Sequence, residues 1–160
     1  TYGNAKQWPA ASFRAVAAAL LRDGVRVVVA GTASEQSVAT ALCEAIGPGA
    51  LNLVGQTDLR ALGGICALAH AVVGNDSGIV HLAAAAGTPT VAVYGSTSPA
   101  WTAPVSARHR SLASATPCSP CFQSTCVFGA PCFAQISVAD VVCAVQDAGA
   151  TPLAIPRHPQ

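Results

Sequence analysis

Methionine is absent from this chain of 160 residues, and charge is scarce: 8 Lys and Arg face 7 Asp and Glu, leaving a net charge of +1. Charged residues make up 9% of the composition, and no block of like charge occurs. That excludes the basic footprint of a nucleic-acid binder, so no nucleic-acid partner is expected, and it excludes a polybasic membrane anchor. Long hydrophobic runs are also missing. Gly, Pro or a charged residue interrupts each apolar stretch before the roughly 18 residues that span a bilayer, and no secretory signal is expected. Without methionine, Thr1 is not a translational start, and a longer parent chain is expected.

What remains is an apolar, alanine-rich sequence, 52% hydrophobic, of a length that suits one domain with a real core. Its seven cysteines are an odd number in a chain with no export signal, which points to reduced thiols in a cytoplasmic compartment. Cys43, Cys66 and Cys143 fall in apolar helical patterns and are expected as small core residues. The other four, Cys118, Cys121, Cys126 and Cys132, crowd one proline-rich segment.

Periodicity gives the order of elements. A helix is expected from Pro9 to Asp23, with Phe13, Val16, Ala17, Leu20 and Leu21 as its apolar stripe and Gly24 as its stop. Val25 to Ala30 reads as a strand, and Gly31 to Glu35 as a polar turn into a helix ending near Gly47. Leu51 to Val54 reads as a second strand, and Thr57-Asp58 as the cap of a third helix through Ala69. A strand from Ala71 to Gly74, a helix from Gly78 to Gly87 and a strand from Thr90 to Tyr94 follow. Residues 95 to 132 read as loop, and the last helix spans Ser137 to Ala148. Alternating strands and helices imply parallel βαβ units and a doubly wound α/β sheet. Residues 1–150 are taken as one domain and 151–160 as a loose tail.

In such sheets ligands sit at the carboxyl ends of the strands. Those ends are Gly31 to Glu35, Gly74 to Gly78 and Gly95 to Ser98. The richest is Asn75-Asp76-Ser77-Gly78, a turn suited to a helix N-cap. The first turn of a helix has unpaired amides and the positive end of the dipole, so an anion such as a diphosphate is held there, and Gly78 leaves room for it. His81, four residues after Ser77, faces the same mouth. The plainer alternative is that Asp76 only caps the helix and His81 is an ordinary boundary histidine.

Four motifs in order carry a resemblance: Tyr2-Gly-Asn-Ala-Lys-Gln-Trp-Pro9, Asn75-Asp-Ser-Gly-Ile-Val-His-Leu-Ala-Ala84, Val93-Tyr-Gly-Ser-Thr-Ser-Pro99, and Cys118-Ser-Pro-Cys-Phe122 with Cys126 and Cys132. Together they resemble the C-terminal half of the ADP-heptose:lipopolysaccharide heptosyltransferases, glycosyltransferase family 9, the last motif being similar to the heptosyltransferase II branch. The resemblance implies a Rossmann-like, donor-binding domain of a GT-B enzyme, lacking its first strand, and a separate N-terminal domain that supplies the general base. It implies an inverting transfer of heptose from ADP-heptose to the lipopolysaccharide inner core, in the cytoplasm and peripheral to the inner membrane. Lys6, the one lysine of the chain, then faces the donor diphosphate. Ser77 and Gly78 offer hydroxyl and amide donors, Asp76 lies near the donor sugar, and His81 near phosphate or sugar.

Glu35, on the turn after the strand Val25 to Ala30, suits ribose hydroxyls in the way of dinucleotide folds, although a first-turn glutamate also complements a helix dipole. Ser96 and Thr97 line the same cleft or simply form the turn. No cofactor is required. The four crowded cysteines are expected as thiols or disulfides; structural zinc is the less favoured alternative, because only one pair is a C-x2-C. A catalytically silent nucleotide-binding or interaction domain, or a relative using another nucleotide sugar, is the competing reading of the whole chain.

Overall fold

The computed structural model describes residues 3–150; the expected tail 151–160 and Tyr2 of the first motif lie outside them. Eleven principal elements alternate along the chain. They are α1 (Ala10–Arg22), β1 (Val27–Val29), α2 (Gln36–Ile46), β2 (Ala50–Asn52), α3 (Leu59–Leu68), β3 (Val72–Asn75), α4 (Gly78–Ala85), β4 (Thr90–Tyr94), α5 (Pro99–Thr102), β5 (His109–Ala113) and α6 (Val138–Ala150). Short 3-10 turns occupy Asn4–Lys6, Ala33–Glu35 and Pro131–Phe133.

Every strand pairing is parallel, as alternating elements require. The pairings fall into two sheets, β1-β2 and β3-β4-β5, rather than one. The helix α1 spans the division: it packs against α2 and β1 on one side and shares a core with β4 on the other.

β4 is the centre of the larger sheet and is buried on both faces. Val91 and Val93 point into a core with Trp8, Val16, Leu20, Phe133, Ile136 and Val141, while Ala92 and Tyr94 pack with Val80 on the opposite side. A strand covered twice reads as a continuous apolar run, which is why Thr90-Val-Ala-Val-Tyr94 is the plainest strand of the sequence. Burying each of its aliphatic side chains contributes about 1.5–3 kcal/mol. Helix ends follow their signals: Asp58 caps α3 by accepting from the Ala61 amide at 2.7 Å, and Gly24, Gly47 and Gly87 close α1, α2 and α4 at positive φ.

Two expectations need correction. Residues 95–132 are not all loop: Pro99–Thr102 is a short helix and His109–Ala113 is a strand paired with β4. β5 is an edge strand on which Arg110, Ser111 and Ala113 are exposed, so its sequence carries little apolar alternation. Of the three cysteines expected in the core, Cys66 is buried and Cys43 half-buried, but Cys143 is exposed, on the outer side of α6.

Candidate functional site

The parallel order of β3 and β4 brings their carboxyl ends side by side, Asn75 opposite Val93. Onto these two ends folds the N-terminal segment. The Ser96 amide donates to Ala5 O at 3.2 Å, and the Trp8 amide donates to Asn75 Oδ1 at 2.9 Å. Between these two ties stands Lys6, whose Nζ reaches Asp76 Oδ2 at 3.1 Å across 70 residues of sequence. The pair is largely enclosed, with the lysine side chain 20% and the carboxylate 6% exposed.

Asp76 therefore does not cap α4. Its second bond comes from Thr102 Oγ1, at 2.9 Å to the same Oδ2, and the N-cap position is held by Ser77, whose side chain makes no capping bond. Burial opposes ionisation of Asp76, but the hydroxyls of Thr97 and Thr102 and the ammonium of Lys6 outweigh it, and the carboxyl titrates below its ordinary range. Thr97 lies near enough to favour the carboxylate yet outside hydrogen-bonding geometry, so its Oγ1 is buried without a protein partner. Ser96 Oγ is in the same condition. Buried hydroxyls without partners are uncommon and call for an explanation such as a ligand. Beside them Ser77 and Gly78 are exposed at the start of α4, with open space where a Cβ on Gly78 would stand.

Lys6, Asp76, Ser77, Gly78, Ser96 and Thr97 are thus brought to one end of the larger sheet. Glu35 follows β1, in the smaller sheet, and its carboxylate is already engaged: Oε2 accepts from the Thr32 amide and the Thr32 hydroxyl, both at 2.9 Å. That is a capping box, a role the sequence reading did not name. His81 is exposed on the first turn of α4. Its charge is felt by His109, which burial first, then His81 and Arg110, hold below the usual histidine range.

The sequence reading missed several residues around this site. Thr102 holds Asp76, and no sequence signal distinguishes it from any loop threonine. Asn75 and Asn4 accept backbone bonds that join distant segments; Asn4 Oδ1 takes the Cys126 amide at 3.0 Å. Behind the site, His109 links Thr90 Oγ1 at 2.8 Å to the hydroxyls of Tyr94 at 3.2 Å and Ser111 at 2.9 Å. Burial, together with the nearby charge of Asp76 and against a bond from Ser111, pushes Tyr94 up to about 12.

The cysteine segment forms the wall of the site next to Lys6. Ser119 Oγ donates to Gly95 O and the Phe122 amide to Ser96 O, both at 2.7 Å, while the Ala5 amide donates to Ser124 O at 3.1 Å. Gly3 lies so close to Ser124 O that a Cβ there would stand 1.8 Å away, so only glycine fits. The four sulfurs are near enough to raise Cys132, by burial first and then by Cys118, Cys126 and Cys121. Among the described residues no three Cys, His, Asp or Glu side chains are grouped as metal ligands. Cys126 Sγ instead accepts from the Ala130 amide at 3.2 Å.

Residues 1–131 match the profile of glycosyltransferase family 9 (heptosyltransferase). The chain is 38% identical over 109 residues to a lipooligosaccharide heptosyltransferase 2 of Haemophilus influenzae, covering 66% of this chain and 32% of that protein. It is 35% identical over 113 residues to lipopolysaccharide heptosyltransferase 2 of Escherichia coli, covering 68% and 32%. The chain thus spans about a third of the length of these curated relatives. Among solved structures, the E. coli ADP-heptose lps heptosyltransferase II superposes with a TM-score of 0.79 at 27% identity, over 92% of this chain and 43% of that one. An E. coli heptosyltransferase solved with ADP shares the fold, with a TM-score of 0.76 at 23% identity over 92% and 42%.

Proposed function

Because the chain belongs to glycosyltransferase family 9, the heptosyltransferase family, we propose that it is the donor-binding half of an inverting enzyme that moves heptose from ADP-heptose to the lipopolysaccharide inner core. The observation that carries the reading is the Lys6–Asp76 pair beside two buried, unpartnered hydroxyls at the end of β4. A cation, a carboxylate and free hydroxyls at a helix start form a site with an anionic and a polyol side.

In this reading the diphosphate lies at the first turn of α4, where the amides of Gly78 and Ile79 and the ammonium of Lys6 supply positive potential. That potential grows in value as ADP leaves with its charge, so it favours the transition state over the bound donor. With this charge supplied by the chain, the reading calls for no catalytic metal. Ser96 and Thr97 offer their buried hydroxyls to the ligand. Asp76, bonded only through Oδ2, offers Oδ1 to a sugar hydroxyl; its depressed pKa keeps it an acceptor. His81 stands near the phosphate side, and Glu35 offers Oε1 to ribose while Oε2 keeps the cap.

The general base and most of the acceptor site belong to an N-terminal domain, so this chain binds donor and does not turn it over alone. Among the described residues no helix is long and apolar enough to cross a membrane, and the full enzyme is proposed to work at the cytoplasmic face of the inner membrane. Calorimetry with ADP, ADP-heptose and UDP tests the reading. ADP and ADP-heptose should bind and UDP more weakly, with Lys6→Ala losing affinity for all diphosphates. Equal affinity for ADP and UDP, with no effect of Lys6→Ala or Asp76→Ala, would sink it in favour of a silent interaction domain.

A further inference from the structure

Two aromatic rings are carried by segments tied to the site through Thr102 and Ser96. Trp101, on α5, is 82% exposed, although its neighbour Thr102 turns inward to hold Asp76. Its ring lies 5.5 Å from that of Phe122, tilted by 40°. Phe122 takes a left-handed backbone, φ 55°, which is strained for a side-chain-bearing residue and persists only where the surroundings impose it. Here the imposing contact is the bond from its amide to Ser96 O, the residue whose buried hydroxyl lacks a partner. Both rings are therefore anchored to the two groups that shape the polar pocket: Trp101 through Thr102 to Asp76, Phe122 through Ser96.

We propose that Trp101 and Phe122 form a stacking platform for the apolar C–H face of a pyranose ring whose hydroxyls meet Asp76 and Thr97. The proposal rests on the donor-site reading and deepens it. A pyranose presents one face of C–H groups and an equator of hydroxyls, and it needs aromatic faces beside hydroxyl-seeking polar groups. Asp76, tied through Thr102 to the helix that carries Trp101, offers a hydrogen-bond acceptor to hydroxyls beside the rings. Adenine also stacks on aromatics, but it brings no polyol edge to the carboxylate and hydroxyls. The pyranose is the donor heptose or a sugar of the acceptor, and these two sources differ in the ligand that delivers them.

Fluorescence reads the site directly, because the chain has two tryptophans and Trp8 is buried, 3% exposed. Acrylamide quenching of the whole chain should fall on adding ADP-heptose but not ADP, and Trp101→Leu should weaken ADP-heptose about tenfold while leaving ADP unchanged. Phe122→Leu provides a second variant, with the same expected direction. If lipid-free inner-core oligosaccharide protects Trp101 instead, the platform stands and the ring is the acceptor's. Full protection by ADP alone assigns the rings to adenine and overturns the proposal. So does protection by none of the three ligands when calorimetry shows that ADP binds. If ADP does not bind at all, the donor reading fails separately, and the oligosaccharide arm alone decides: protection upholds the platform, and its absence refutes it.

Discussion

Replacing Asp76 by Asn keeps the shape of the side chain and removes its charge. The Thr102 hydroxyl still finds a carbonyl oxygen, but Lys6 loses the carboxylate now 3.1 Å from its Nζ. Breaking a fully buried ion pair by removing one partner costs about 3–5 kcal/mol. Lys6 remains 20% exposed, and water there compensates part of the loss, so about 2 kcal/mol is expected for Asp76→Asn at pH 7. For a chain of this size that lowers the melting temperature by about 4–8 °C. Lys6→Gln alone leaves the carboxylate with its hydroxyl neighbours, and the double variant should recover about 1–2 kcal/mol relative to the sum of the singles.

Acid supplies an independent check. The folded pKa of Asp76 is depressed, so its contribution is present above the unfolded value near 3.9 and is lost as pH falls through the folded value. The difference between wild type and Asp76→Asn should therefore shrink below pH 4. Thermal and urea denaturation followed by circular dichroism measure all of this. A double-mutant coupling of zero at pH 7, with an unchanged melting temperature for Asp76→Asn, would refute the claim that the pair organises this end of the sheet.

Three further outcomes follow from the same structure. His109 is held below its usual pKa, so the unfolded chain binds its proton first: stability should fall as pH drops through about 6.5, and His109→Gln should flatten that slope in urea titrations at pH 5 and 7.5. A Cβ at Gly95 would stand 2.3 Å from the Phe133 ring, so Gly95→Ala should cost about 1–3 kcal/mol, with Phe133→Leu restoring part of it in thermal melts. Glu35→Gln should cost about 1 kcal/mol or less of stability through the capping box, and a loss of ADP affinity beyond that, measured by calorimetry, decides whether the carboxylate also serves ribose.

Legibility in the sequence followed burial. β4 was plain because both faces are covered, and the turn Asn75 to Gly78 was plain because its residues have few other uses. β5 was illegible for the opposite reason: His109-Arg-Ser-Leu-Ala113 lies on an edge, and only Leu112 joins the core. Within the site, residue types found the acid, the cation and the hydroxyls but not their pairing. That Asp76 answers to Lys6 and Thr102 rather than to the amides of α4 depends on segments far apart in sequence. The same holds for the cysteine segment, whose spacing says nothing of its part in holding Ala5, Gly95 and Ser96.

The ties that fix Lys6 also set an order of events. Its helical turn is pinned by Asn75, by Ser96 and by the segment from Ser124 to Cys126, the last tie closing 122 residues of chain. A contact of that separation forms only after the intervening elements have condensed. On a ribosome, Lys6 emerges before Asp76 and before the cysteine segment, and waits for both. The site is then assembled only once segments 122 residues apart have met, so a nascent chain halted before residue 118 would carry Asp76 and α4 without the wall that holds Lys6 against them.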